Sequence, residues 1–217
     1  MELLVLLACT LSTGMIWGTF YLVNGPRLSR QRKSALEARK NEKKTVTKAE
    51  TGAHAKAVGE FYDRTNEAFL KVYGDVIQAF RTRDLSNLLG YQANVMQLQS
   101  GMKVLDAGCG ICGPAMYFAQ NYSVHVDAIT ASEVQMQQAQ VRIKAAGLEN
   151  QVQVKQGDYH QLSTYFPSGE YDVVYFLESF GHSPDKAAAI ASAWEMLKPG
   201  EMLYVKDLFV KEPVIAS

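Results

Sequence analysis

Val104-Leu105-Asp106-Ala107-Gly108-Cys109-Gly110-Ile111-Cys112-Gly113 runs from an apolar strand straight into a glycine-rich turn. Glycine at 108, 110 and 113 leaves the backbone bare, so a ligand can approach closely. Gly113 to Asn121 then reads as a helix. Its first turn offers unpaired N–H groups and a positive dipole end, which suit a carboxylate or a phosphate. A Gly-x-Gly-x-x-Gly turn by itself also serves dinucleotide-binding enzymes, so the chain on either side has to discriminate.

Working outward, strand and helix alternate. Lys103 to Ala107, Ser123 to Ile129, Val152 to Gln156, Tyr171 to Leu177 and Met202 to Asp207 read as strands. Glu133 to Ala146 and Asp185 to Leu197 read as helices, stopped at Gly147 and at Lys198-Pro199-Gly200. This alternation implies an α/β fold, a Rossmann-like parallel sheet with helices on both faces. Ligands in such sheets sit beyond the carboxyl ends of the strands. Short motifs stand there: Thr130-Ala131-Ser132 with Gln135, Gly157-Asp158-Tyr159, and Glu178-Ser179-Phe180-Gly181-His182.

The form Asp-x-Gly-Cys-Gly at 106–110 resembles motif I of the class I S-adenosylmethionine-dependent methyltransferases. The resemblance implies that Asp106, Gly108, Cys109 and Gly110 cradle the methionine part of that cofactor. Many members carry an acid at the end of the second strand, where Thr130 stands. In this respect the chain is similar to the branch of sterol and cyclopropane-fatty-acid methyltransferases, where Thr and Gln at the places of Thr130 and Gln135 serve the ribose. Asp158 would accept from the adenine amino group, and Tyr159 would pack on the ring. Glu178 and His182 match a Glu-x-x-x-His segment of sterol methyltransferases that lines the acceptor pocket, and they are the candidate catalytic bases. Phe61-Tyr62-Asp63 through Phe69 and Tyr73-Gly74 resemble the sterol-methyltransferase block Phe-Tyr-Asn…Tyr…Trp-Gly. Tyr62, Phe69, Tyr73 and Phe180 are thereby candidate substrate-binding faces. For each group a structural alternative stands beside the functional one: helix packing for the aromatics, capping for the acid and histidine. The block that usually follows, with its Phe-His-Phe, is replaced by Asp75-Val76-Ile77-Gln78-Ala79, which separates this acceptor site from a sterol site.

The rest of the chain frames this core. Leu3 to Val23 carries no charge and as a helix would span roughly 30 Å, a bilayer core. Asn24-Gly25-Pro26 breaks it, and Arg27, Arg30, Arg32, Lys33, Arg39, Lys40, Lys43 and Lys44 follow, against Glu37 and Glu42. By the positive-inside rule this is a single-pass anchor with the catalytic part on the cytoplasmic side; a buried soluble helix is the alternative. The expected layout is 1–24 anchor, 25–56 basic and polar linker, 57–100 helical segment of the substrate side, and 101–217 cofactor-binding core. Val58 to Phe80 and Leu85 to Leu98 are the helices of the third part.

Composition excludes several classes. Lys+Arg 22 equals Asp+Glu 22, so no global field draws the 217-residue chain to nucleic acid. Three cysteines make no disulfide framework and point to a reducing compartment. Cys109 and Cys112 have redox spacing, but two thiols are too few for a structural zinc site, and His54, His125 and His160 lie apart without ligand spacing, so no metal is expected. They read as surface or strand histidines. The family's sheet normally has two further strands after the fifth. Their absence before Ser217 predicts an unpaired edge on the fifth strand, covered by a homo-oligomer or a partner. The expected activity is methyl transfer, C-methylation favoured, to a hydrophobic small molecule (sterol-like, isoprenoid or other lipid) at a membrane surface. The alternatives are a soluble oxygen or nitrogen acceptor, an NAD(P) enzyme, and a module that binds without turnover.

Overall fold

The computed structural model describes residues 15–23, 46–78 and 84–210. The backbone places Met15–Val23 as β1, followed by α1 (Lys48–Tyr73), α2 (Leu85–Val95), β2 (Lys103–Ala107), α3 (Gly113–Tyr122), β3 (His125–Thr130) and α4 (Glu133–Ala145). Then come β4 (Val152–Gln156), a 3-10 segment (Tyr159–Thr164), β5 (Tyr171–Leu177), a short 3-10 turn (Phe180–His182), α5 (Lys186–Met196) and β6 (Leu197–Val210). The sheet order is β1-β6-β5-β2-β3-β4. Five strands, β6 to β4, are mutually parallel, and β1 alone runs antiparallel against β6.

The strands are apolar on both faces because helices cover both. Along β2 and β5, Val104, Val173, Tyr175 and Leu177 face one core with α2, α3 and α4. Leu105, Ala107, Val174 and Phe176 face the other, with Ala189, Ala193 and Met196 of α5. This period of two is what a sheet buried on both sides requires.

Several boundaries moved. α1 begins at Lys48, inside the expected linker, because Thr47 and Glu50 form a reciprocal capping box there. It ends at Gly74, whose φ of +64° stops the helix short of Phe80. β3 starts late because Ser123 caps α3 in the left-handed region.

The N-terminal membrane helix is corrected. Met15 to Val23 pair residue by residue with Val210 to Met202 as an edge strand. Among the described residues no helix is long and apolar enough to cross a membrane. A short apolar run rich in β-branched and aromatic residues satisfies either reading, and the open ladder of β6 supplies the backbone partners that decide it. The expected bare edge is therefore covered from within the chain by β1. The remainder of the predicted anchor, Leu3 to Gly14, and the basic run at 27–44 lie outside the described residues.

Candidate active site

The sheet ends its parallel strands at one edge, and the glycine loop after β2 lies at the centre of it. Gly108 has φ +104°, and a Cβ there would sit 2.3 Å from the Ser179 Cβ. Only glycine meets both demands. Ser179 Oγ in turn donates to the Ala107 carbonyl at 2.5 Å, locking the turn after β5 onto the turn after β2. Gly113 lies equally close to the Asp75 backbone, so the segment before α2 closes over the loop. The result is a cleft beside the glycine loop.

This cleft gathers Asp106, Gly108, Cys109, Gly110, Thr130, Gln135, Tyr159, Glu178, His182 and Tyr62 from the expected site. Asp106 is fully enclosed, and burial pushes its carboxyl up to about 8, the nearby Tyr175 hydroxyl partly offsetting. At neutral pH it is a protonated acid. Burial likewise drives the Cys109 thiol well above its ordinary value, which disfavours a thiolate at Cys109. Thr130 Oγ1 donates to Gln135 Oε1 at 3.0 Å, and Gln135 Nε2 donates to Asn66 Oδ1 of α1 at 3.4 Å. The hydroxyl and amide are therefore preset side by side, with α1 as their brace.

Asp158 opens instead into a second cleft. α1 stands between the two: Val58 and Tyr62 line the first, Gly59 and Asp63 the second. Burial alone would raise the Asp158 carboxyl. Hydrogen bonds from the His160 ring and backbone overcome it and hold the group below its usual value. Oδ1 takes both bonds, at 2.5 and 2.9 Å, while Oδ2 is buried without a partner. His160 Nε2 lies 2.7 Å from Ser183 Oγ, beside His182. His160, expected as a surface or strand residue, is thus a buried strut joining the two halves of the site.

The reacting end has its own network. Tyr62 Oη and His182 Nε2 are 2.9 Å apart. Burial lowers the His182 imidazole, Asp207 opposing and Lys186 and His54 reinforcing, so the ring is neutral at pH 7. Burial, with Asp207 and Glu178, raises the Tyr62 phenol. His54 Nε2 donates to the His182 carbonyl at 2.8 Å, so this histidine too is structural. Glu178 stands in the left-handed region at φ +59° and meets Lys206 Nζ at 2.6 Å. Asp207 accepts from the Gly181 N–H at 2.6 Å. Lys206 and Asp207 are both buried, and neither was singled out in the sequence, because a charged pair at a strand end has no local signature.

The expected aromatic faces divide. Tyr62 lines the cleft, and Phe69 packs on it at 5.4 Å, with Tyr73 stacked on Phe69 at 5.9 Å. Phe180 is corrected: it is buried in the α5-side core against Phe176, 5.5 Å away, and faces away from the cleft. Its place in the chain put it at a strand end; its side chain chose the apolar layer.

The bare glycine cradle and the preset Thr–Gln pair fit S-adenosylmethionine, whose carboxylate and amine the loop would hold and whose ribose hydroxyls would meet 130 and 135, whereas Asp158, expected at the adenine amino group, lies across α1 in the second cleft. Fold and site together define a class I methyltransferase domain. A methyltransferase domain family matches residues 104–200. Sterol 24-C-methyltransferase of Gibberella zeae is 34% identical over 117 residues, covering 54% of this chain and 30% of that one. The methyltransferase GfsG of Streptomyces halstedii is 28% identical over 169 residues, 73% of this chain and 60% of that one. The crystal structure of the [4+2]-cyclase SpnF superposes with a TM-score of 0.65 at 26% identity, over 70% of this chain and 60% of that one. This chain carries a class I S-adenosylmethionine-dependent methyltransferase domain, related to the sterol methyltransferase branch, and its cofactor is S-adenosylmethionine. It spans 30% of the length of the fungal sterol enzyme it matches.

Proposed function

We propose that the chain transfers a methyl group from S-adenosylmethionine to an uncharged, lipophilic small molecule, with C-methylation favoured. The observation that carries this reading is the convergence, in one cleft, of the glycine cradle with Tyr62, Glu178 and His182. The bound cofactor would supply an electrophilic methyl on a sulfonium centre. The chain aligns it and excludes water, which is most of what such a displacement needs. Tyr62 and the neutral His182 form a proton path: the phenol hands its proton to Nε2 as it receives one. Because its surroundings disfavour a lasting phenolate, Tyr62 relays rather than stores charge. Tyr62, backed by Phe69 and Tyr73, which do not themselves line the cleft, offers a face to an apolar acceptor or a developing cation. The relatives named for sterol methylation support a lipophilic acceptor; the replaced aromatic block argues for one other than a sterol.

Association with a membrane surface, on the cytoplasmic side, belongs to this proposal through the basic run at 27–44, at about 1 kcal/mol per charge near anionic lipid. Flotation with phosphatidylserine vesicles tests it, and indifference to anionic lipid removes it. The central test is calorimetry with S-adenosylhomocysteine beside an Asp106→Asn variant, which keeps the buried shape. Binding by the wild type, weakened in the variant, is expected; no binding by a folded wild type overturns the proposal. A second reading has one observation behind it, the SpnF likeness: a related fold serves a cyclase. Release of S-adenosylhomocysteine on turnover separates the two.

A further inference from the structure

Gln78 lines the first cleft with half of its amide unused. The residue is 1% exposed, and its Nε2 is buried without a hydrogen-bond partner among the described residues. Its Oε1, by contrast, takes two bonds, from Lys206 Nζ at 2.5 Å and from Gln92 Nε2 at 2.8 Å. An ammonium has donors only, so turning the amide over would set N–H against N–H. Nε2 is therefore the end left for a ligand, and a buried donor without an acceptor is costly until one arrives. Gln78 belongs to the stretch 75–79 that stands in place of the sterol enzymes' aromatic block.

The same stretch lies against the glycine loop. A Cβ at Gly113 would sit 2.7 Å from the Asp75 carbonyl carbon, and one at Gly110 would sit 3.9 Å from Ile77 Cδ1. Gln78 follows directly, its N–H turned back onto the Val76 carbonyl at 3.0 Å. Helix α3 starts at the loop, and Cys112 at its N-cap makes no side-chain bond to it. The first-turn N–H groups and the positive dipole end are thus available to an anion. Backbone donors from α3 and a side-chain donor from Gln78 line one cleft. Donors suit a carboxylate, with its two acceptor oxygens, and repel an ammonium.

We propose that Gln78 is a cofactor-binding residue: its Nε2 donates to one oxygen of the methionine carboxylate, while the first turn of α3 holds the other. Lys206 and Gln92 fix the amide in the orientation that makes this bond. The proposal rests on S-adenosylmethionine being the cofactor of this cleft.

Two ligands separate the amino-acid end of the cofactor from the rest. S-Adenosylhomocysteine carries the carboxylate, whereas 5′-methylthioadenosine keeps adenine, ribose and sulfur and lacks the amino-acid end. Calorimetry gives a Kd for each, and their ratio isolates what the amino-acid end contributes. In Gln78→Met the donor is gone, and S-adenosylhomocysteine should bind about tenfold more weakly, the scale of one hydrogen bond to a charged group. In Gln78→Glu both oxygens can still accept from Lys206 and Gln92, but an acceptor now meets the carboxylate, and the loss should reach about a hundredfold. 5′-Methylthioadenosine should stay within about twofold of its wild-type Kd in both variants, because the bond in question is one it never makes. A Gln78 that only braced the loop through its oxygen would tolerate Gln78→Glu, and a ratio near the wild type there overturns the proposal. A parallel weakening of both ligands overturns it as well, by placing the effect in the fold or at the ribose. Unchanged affinities in both variants would give the amide to the methyl acceptor instead, and are equally fatal. Should Gln78→Met not fold, Gln78→Glu carries the test alone. A folded wild type that binds neither ligand defeats the cofactor reading first, whereas a wild type that binds S-adenosylhomocysteine with a ratio indifferent to Gln78 defeats this proposal only.

Discussion

Two glycines of the same helix should respond oppositely to the same substitution. Gly52 and Gly59 both lie within α1, and in an exposed helix interior Gly→Ala stabilises by about 0.5–1 kcal/mol through the entropy of the unfolded chain. A Cβ at Gly52 meets nothing within 4 Å. A Cβ at Gly59 would sit 2.3 Å from the Ala131 carbonyl oxygen, far inside the ordinary contact limit of 3.4 Å. The obstacle is backbone on both sides, so one element must move, at a cost of roughly 1–3 kcal/mol for overpacking. The helix proposensity gain offsets part of this, leaving Gly59→Ala about 1–2 kcal/mol less stable than the wild type. At about 2–4 °C per kcal/mol for a domain of this size, Gly52→Ala should melt about 2–3 °C higher and Gly59→Ala about 3–6 °C lower. Function should divide the same way. Moving α1 off the turn after β3 disturbs Asp63, which accepts from Ser132 Oγ and the Val134 N–H, and carries Tyr62 away from His182. S-Adenosylhomocysteine affinity should therefore fall about tenfold in Gly59→Ala, a loss typical of misplacing a site by about 1 Å, and stay unchanged in Gly52→Ala. Thermal melting and calorimetry on the two variants decide it. If Gly59→Ala is as stable as the wild type and binds as well, the close approach of α1 is not what builds the site.

Asp106 sets a pH dependence. Its folded value of about 8 lies above the ordinary carboxyl value of about 4, so the native chain keeps a proton that the unfolded chain loses. Its contribution to stability is complete at acid pH and is lost as pH rises towards 8; in Asp106→Asn melting temperatures from pH 5 to 8 should lack this decline. A parallel decline in both proteins would place the titration elsewhere. Tyr62→Phe should keep cofactor affinity within about twofold while slowing methyl transfer roughly 10–100-fold, measured by S-adenosylhomocysteine release, as expected for one arm of a proton path. Since His182 is held below 6.5, the wild-type rate should stay level down to about pH 6.5 and fall only below it; a fall centred near pH 8 would implicate another group. A chain beginning at Val46 lacks β1 and bares the β6 ladder, so it should self-associate in light scattering, and a stable monomer would show that β1 is dispensable.

Much of the core was legible from neighbours in sequence. The run Tyr171 to Leu177 is apolar at every position that two helical layers would cover, and β5 occupies those residues. Gly108 announces a bare turn wherever it is folded, because its φ of +104° is a local property. Thr130 and Gln135 are five residues apart across a helix start, and their side chains meet. Those features depend on period, backbone freedom and short spacing, which the amino-acid order carries by itself.

Other features depend on which distant groups the fold brings together. The apolar run ending at Val23 suits a bilayer or a sheet edge equally well, and only the open ladder of β6 selects the strand. Phe180 stands among site residues in the chain, but the α5-side core takes its ring. His160 becomes a strut because Ser183, 23 residues on, faces it across the site. Glu178 meets Lys206, 28 residues later, and that lysine meets Gln78, 128 residues before it. A carboxylate's chemistry is set by the charges and donors within a few ångströms of it, and those are properties of the folded molecule. The amino-acid order by itself determined the sheet, the glycine cradle and the cofactor; the tertiary structure alone decided which side chains are free to react.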